Sequence, residues 1–237
     1  MSVEKNKGKL PQESASASAA AFLSKVRATP VAKAAGRRGR LIFAMDATAS
    51  REPTWDRACE IQGEMFLATA ALGGLDVQLV FYRGFHEFNA SPWVGSSTDL
   101  VRRMTGVFCL GGRTQVERVL AHAIEETKRE RVQALVFVGD CMEEDIDRLC
   151  HVAGELGLLG VPAFMFHEGG DPVAARAFKE VARLTGGAYC PFDSSSPQQL
   201  RDLLSAVAVY AAGGRVALED YGRRKGGHVL RLTHQVR

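Results

Sequence analysis

The 237-residue sequence predicts an α/β fold, a doubly wound, mostly parallel sheet with helices on both faces and one antiparallel edge strand. Three observations predict it. Apolar runs of strand length, at 41–45, 76–82, 134–138 and 161–166, alternate with stretches whose apolar residues recur at helical spacing. Two of those runs stop at an aspartate, Asp46 and Asp140, where a strand's carboxyl end would open onto a ligand edge. Glycine pairs at 73–74, 111–112, 186–187 and 213–214 punctuate the alternation.

The first strand is the apolar run Leu41-Ile42-Phe43-Ala44-Met45, bounded by Arg40 and by polar residues. Pro53 opens a helix over 53–72, with Ala58, Ile61 and Met65 on one face and Gly73-Gly74 as its stop. Residues 76–82 read as the second strand. Arg83-Gly84 then turns it into an edge hairpin with 85–88, whose alternation suits a half-exposed strand. A short helix over 99–104 and a longer one over 115–129 follow, the latter with Val116, Val119, Leu120 and Ala123 on its apolar face. Ala134-Leu135-Val136-Phe137-Val138 is a buried parallel strand, and a helix over 144–156 leads to a strand at 161–166. Asp171-Pro172 starts a helix ended by Gly186-Gly187, residues 188–192 form an edge strand, and a last helix covers 196–210. These elements define three regions. They are a basic N-terminal arm (1–40) with a short helix over 17–27, the α/β domain (41–212), and a basic C-terminal tail (213–237) without assigned structure.

Composition bounds the function. The net charge of +3 divides into +7 over residues 1–40, +5 over 221–237 and therefore −9 over 41–220. Such basic arms bind nucleic acid or anionic lipid in some proteins and merely solvate a segment in others. Phe22 and Tyr221 are the only aromatic residues among the basic ones of the two arms, which speaks against nucleic acid. No apolar run approaches the length of a membrane span, and the polar, lysine-rich N-terminus does not read as a secretory signal. Five widely spaced cysteines form no Cys-x-x-Cys pair and fit a reducing cytoplasm.

The candidate site starts at Asp46, Thr48 and Ser50, one carboxylate and two hydroxyls at alternating positions after the first strand. Oxygen clusters of this kind suit hard cations. Alone, the pattern also fits a strand-to-helix turn in which Ser50 caps the next helix. Two further segments bring oxygen ligands to the same edge, Thr114 before its helix and Asp140 after its strand. In residue pattern and order the chain resembles the von Willebrand factor type A domain over residues 41–212, a Rossmann-like fold.

That resemblance implies a metal-ion-dependent adhesion site, the family's Asp-x-Ser-x-Ser, loop Thr and strand-ending Asp, here Asp46, Thr48, Ser50, Thr114 and Asp140. It implies that the hydroxyls of Thr48 and Ser50 bind the cation directly, that the two aspartates act through water, and that Thr114 switches between the two modes. An Asp or Glu of a protein partner would complete the shell. Thr48 replaces the commoner serine and keeps the hydroxyl. Cys141 stands where the family often has glycine, and Arg113 puts a cation beside Thr114, either weakening metal binding or gripping the partner's acid. Arg113 and Glu143 are the candidate partner-binding residues. Glu143, Glu144, Asp145 and Asp147 also read as acids complementing a helix dipole. Mg²⁺ is the expected metal, with Mn²⁺ or Ca²⁺ fitting as well.

The expected function is a cytoplasmic, metal-dependent protein-interaction module with no catalytic residue and no small-molecule substrate. Two alternatives stand beside it. One is a Mg²⁺-dependent phosphoryl-transfer enzyme using Asp46, against which Thr48 occupies the place of the second aspartate of haloacid-dehalogenase-like phosphatases. The other is a nucleic-acid or membrane tether acting through the basic arms. The histidines form no i, i+4 pair within a helix, and the sequence holds no phosphate loop or Gly-x-Ser-x-Gly elbow.

Overall fold

A computed structural model describes residues 38–51, 74–192 and 197–236, all within the unit Gly36–Arg237. The helices expected over 17–27 and 53–72 lie outside the described residues. Among the described residues, six strands form one sheet in the order β3-β2-β1-β4-β5-β6. They are β1 (Gly39–Asp46), β2 (Leu75–Arg83), β3 (Glu87–Ala90), β4 (Ala134–Gly139), β5 (Ala163–Glu168) and β6 (Ala188–Phe192). Neighbouring strands are parallel except β2 and β3, which form the antiparallel edge hairpin.

The continuous apolar character of the central strands follows from burial on both faces. Leu41, Phe43 and Met45 of β1 join Val136 and Val138 of β4 and Phe164 and Phe166 of β5 in one core. Ile42 and Ala44, Leu135 and Phe137, and Ala163 and Met165 point into the other. The first face is covered by α1 (Ser97–Thr105), α5 (Pro197–Lys225) and α6 (Gly227–Gln235). The second is covered by α2 (Val116–Arg129), α3 (Ile146–Leu158) and α4 (Pro172–Thr185). No helix among the described residues is long and apolar enough to cross a membrane.

Three elements depart from the sequence expectation. The edge strand begins at Glu87, not Phe85, because Arg83 pairs with Glu87 across the hairpin and their side chains form an ion pair at 2.7 Å. Gly84, at φ +60°, opens the three-residue turn that leaves Phe85 outside the ladder. The strand expected over 161–166 starts at Ala163, after Pro162, which has no N–H to give a ladder. The segment 213–236, expected as a basic tail, is helical. Gly214, at φ 75° and ψ −168°, is non-helical and divides α5 into two helices that meet at a kink, so the glycine pair does stop the first helix and a second resumes beyond it. Leu218 beyond the kink, with Val229 and Leu232 of α6, is buried in the first core.

Strand order reverses at β1 and β4. The chain builds outward from β1 to β2 and β3, then returns to β1's other side for β4, β5 and β6. The carboxyl ends of β1 and β4 therefore flank the topological switch point, where ligands of such sheets bind. Asp46 ends β1, and Asp140 directly follows β4.

Candidate functional site

Asp46 is fully buried. Its Oδ1 accepts the Thr48 N–H at 2.7 Å, a side-chain-to-backbone bond that holds the bend after β1. Its Oδ2 accepts the Tyr82 hydroxyl at 3.0 Å from the paired position on β2. Thr48 is buried and Ser50 exposed, and their hydroxyl oxygens lie 3.1 Å apart. A short 3₁₀ turn, Ala49–Arg51, follows, anchored by the buried Arg51, whose guanidinium pairs with Glu168 of β5 at 3.2 Å.

Across the switch point, one donor atom each from Asp46, Asp140 and Cys141 lie within 4.8 Å of one another. Asp140 Oδ1 is shielded from solvent and has no hydrogen-bond partner among the described residues. The Asp140 carbonyl accepts from His167 Nε2 at 3.2 Å, so Nδ1 of that buried imidazole is left to accept from the Tyr189 hydroxyl at 2.8 Å. Burial pushes the His167 pKa down, which keeps the ring neutral in that role.

Thr114 and its loop come from a third segment. The Glu143 N–H donates to Thr114 Oγ1 at 3.0 Å, and the Thr114 N–H donates to the Glu143 carboxylate at 3.4 Å. Glu144 accepts from the backbone of Val116 at 2.6 Å and Glu117 at 2.8 Å, capping the N-terminus of α2 from outside the helix. Asp145 caps α3, as an acid at a helix start should. The exposed Arg113 is held through its backbone, donating to the Gly84 carbonyl at 3.1 Å.

The electrostatics of the edge are those of crowded acids. Burial pushes the Asp46 carboxyl above its ordinary pKa and the charge of Asp140 adds to that, while hydrogen bonds from Thr48 and Tyr82 pull the other way. Burial, with the charges of Asp140, Asp46 and Glu143, pushes the Cys141 thiol up to about 12. Two carboxylates and a thiol this close repel as anions, and protons or a cation relieve the repulsion. An unsatisfied buried oxygen beside them is a position a dication fits.

The structure thus brings Asp46 to Asp140, Thr48 to both Asp46 and Ser50, and Thr114 to Glu143. Tyr82, His167 and Arg51, which the sequence did not single out for the site, and Glu144, expected only as an acid complementing a helix dipole, hold these in place. A polar residue inside an apolar strand, as Tyr82 and His167 are, was the available signal.

No protein-family model and no curated protein matches this chain. Solved structures do. A von Willebrand factor type A protein from Catenulispora acidiphila superposes with TM-score 0.58 at 15% identity, over 72% of this chain and 43% of that one. The VWA domain of SpRpn10 gives TM-score 0.57 at 14% identity, over 71% of this chain and 94% of the domain. Proximal thread matrix protein 1 from the mussel byssus, with a zinc-occupied MIDAS motif, gives 0.56 at 14%, over 73% and 46%. The chain spans less than half the length of the Catenulispora and mussel proteins and nearly all of the Rpn10 domain. Sheet order, the antiparallel β3 edge and these superpositions agree, and the chain has the von Willebrand factor type A fold.

Proposed function

We propose that this chain is a protein-interaction module that holds a divalent cation at the carboxyl edge of β1 and β4 and, through it, an acidic residue of a partner. The observation that carries the reading is the buried, unpartnered Asp140 Oδ1, set in a cluster with the buried Asp46 at the switch point. Asp46, Thr48, Ser50, Thr114 and Asp140 are the residues that would hold the cation. Bound there, it supplies a Lewis-acidic centre that an added carboxylate satisfies. A zinc-occupied site of this kind in the mussel byssus protein supports the reading. Mg²⁺ or Mn²⁺ suits the oxygen donors, while the Cys141 thiol gives Zn²⁺ a soft donor. Arg113 and Glu143 would meet the partner, in a reducing, cytoplasmic setting and without catalysis by the module.

Thermal unfolding in EDTA and in saturating Mg²⁺, Mn²⁺ or Zn²⁺ tests this. A cation at about 100 times its Kd that binds only the folded state adds roughly 2.7 kcal/mol, a shift of several degrees. The wild type is expected to show that rise and Asp46→Ala to lose it. Superimposable curves with and without each metal would sink the reading.

A further inference from the structure

Six large apolar side chains are exposed among the described residues, and three of them, Phe85 (65%), Phe108 (63%) and Leu110 (45%), stand on two adjoining loops at the candidate metal edge. The other three, Leu158, Val173 and Val216, are scattered over the ends and flanks of helices α3, α4 and α5. Singly exposed apolar residues are ordinary, but a grouped set beside a binding edge marks an interaction surface.

The grouping is built by backbone contacts. The Gly84 N–H donates to the Leu110 carbonyl at 3.3 Å, and the Arg113 N–H donates to the Gly84 carbonyl at 3.1 Å. A Cβ at Gly112 would meet the Gly84 carbonyl oxygen at 1.8 Å, so the loops touch main chain to main chain. The Arg83 guanidinium lies 3.9 Å from the centre of the Phe108 ring and donates to the Phe108 carbonyl at 2.9 Å, while Glu87 fixes its far side. Phe108 is therefore displayed in an ordered position and not folded onto the core.

The patch is continuous with the site. The Leu110 N–H donates at 3.0 Å to the carbonyl of Ala47, the residue between Asp46 and Thr48. Arg113, adjacent to Thr114, is exposed and its guanidinium has no ion-pair partner among the described residues. An occupant would thus meet an exposed positive charge and three exposed apolar side chains on the same pair of adjoining loops.

We propose that Phe85, Phe108 and Leu110 form the specificity surface of the metal edge, and that it selects a protein segment carrying an Asp or Glu within a few residues of a large aromatic or aliphatic side chain. The inference rests on the metal-module reading. The acid goes to the cation and Arg113, and the apolar neighbour covers the rings. Burying aromatic anchors against an ordered apolar patch contributes most of the affinity of many interfaces, and ordering the patch beforehand lowers the entropic cost.

The test is a selection of phage-displayed random peptides on the full chain in Mn²⁺, eluted with EDTA. Recovered peptides are then synthesised and titrated against wild type and against Phe85→Ser/Phe108→Ser. The expected peptides pair an acid with Phe, Trp, Tyr, Leu or Met, and they lose roughly tenfold or more in affinity for the double variant. That variant keeps the wild-type metal-induced rise in melting temperature, which separates loss of the patch from loss of the fold or metal. The proposal is overturned by peptides that carry acids without apolar neighbours, by equal affinity for both proteins, or by no EDTA-releasable peptide from a chain that responds to metal. A wild type that sediments as a dimer, with the variant monomeric, would assign the patch to a second copy instead. A wild type without any metal response overturns the underlying reading, and the patch proposal falls with it.

Discussion

The Tyr82 hydroxyl donates to Asp46 Oδ2 at 3.0 Å, and both residues are fully buried at paired positions on β2 and β1. The ring stacks near Phe137 at 6.3 Å between centroids, so the hydroxyl is aimed by packing on the apolar face of β4. Burial, then the charge of Asp46, push the Tyr82 pKa well above its ordinary value, which keeps it a donor. Tyr82→Phe removes that donor and strands a buried carboxylate oxygen, a loss of about 1–3 kcal/mol in urea unfolding in EDTA. An unchanged midpoint would mean the hydrogen bond contributes nothing.

Asp46 links stability to pH with a definite sign. Its folded pKa is raised, so the folded chain binds that proton more readily than the unfolded chain does. Without metal, the ionised group costs stability above the raised pKa, and the cost disappears as pH falls below the ordinary carboxyl value. In EDTA, Asp46→Asn is therefore expected to gain stability relative to wild type at neutral pH, with the gain shrinking on acidification. With metal present the order reverses, and the wild-type metal response fades as pH falls through the raised pKa. Urea midpoints from pH 4 to 8, in EDTA and in Mn²⁺, measure both trends.

Glu144 caps α2 from a neighbouring loop, holding two backbone N–H groups of the helix that follows Thr114. Glu144→Ala leaves both donors without this acceptor at the positive end of the helix dipole, a cost of about 1–2 kcal/mol. Because the same turn positions Thr114, the variant should also bind metal more weakly. Glu144→Gln, which keeps one acceptor, should recover part of both. Calorimetric metal titration of the three proteins checks this, and equal affinities would separate the cap from the site.

The central sheet was legible because strands buried on both faces are continuously apolar, as Leu135 and Val136 pointing into opposite cores show. Asp46 and Asp140 were legible as strand-ending acids. The start of β3 was not, since Phe85 to Phe88 alternate as a strand would. The turn that excludes Phe85 is set by the Arg83–Glu87 pair and by the Gly84 contact with a loop from residues 110–113. Gly213-Gly214 reads locally as a helix stop. The chain resumes a helix there because Leu218, Val229 and Leu232 find the sheet, a tertiary gain that no local signal carries. Glu144 was legible as an acid at a helix start, but that the helix it caps is α2, and the supporting roles of Tyr82 and His167, depend on which elements are neighbours, so spacing in the sequence could not reveal them.

Gly112 permits the loop bearing Thr114 to lie against the β2–β3 turn. Its Cβ position is 1.8 Å from the Gly84 carbonyl oxygen, a backbone atom that cannot rotate away. Gly112→Ala must separate the two loops, with a loss of about 1–3 kcal/mol and a weaker metal response. Thermal unfolding with and without Mn²⁺ reads both effects, and wild-type behaviour would show that the loops part without consequence.

On the proposed reading, Asp140, with its buried unpartnered oxygen, and Asp46 would hold one cation between β1 and β4. Counting bound Mn²⁺ by electron paramagnetic resonance, for wild type and for Asp140→Asn, tests it most directly. One tightly bound ion per wild-type chain is expected, and none in a variant that still unfolds cooperatively. Equal occupancy in the two proteins, or none in the wild type, would contradict it.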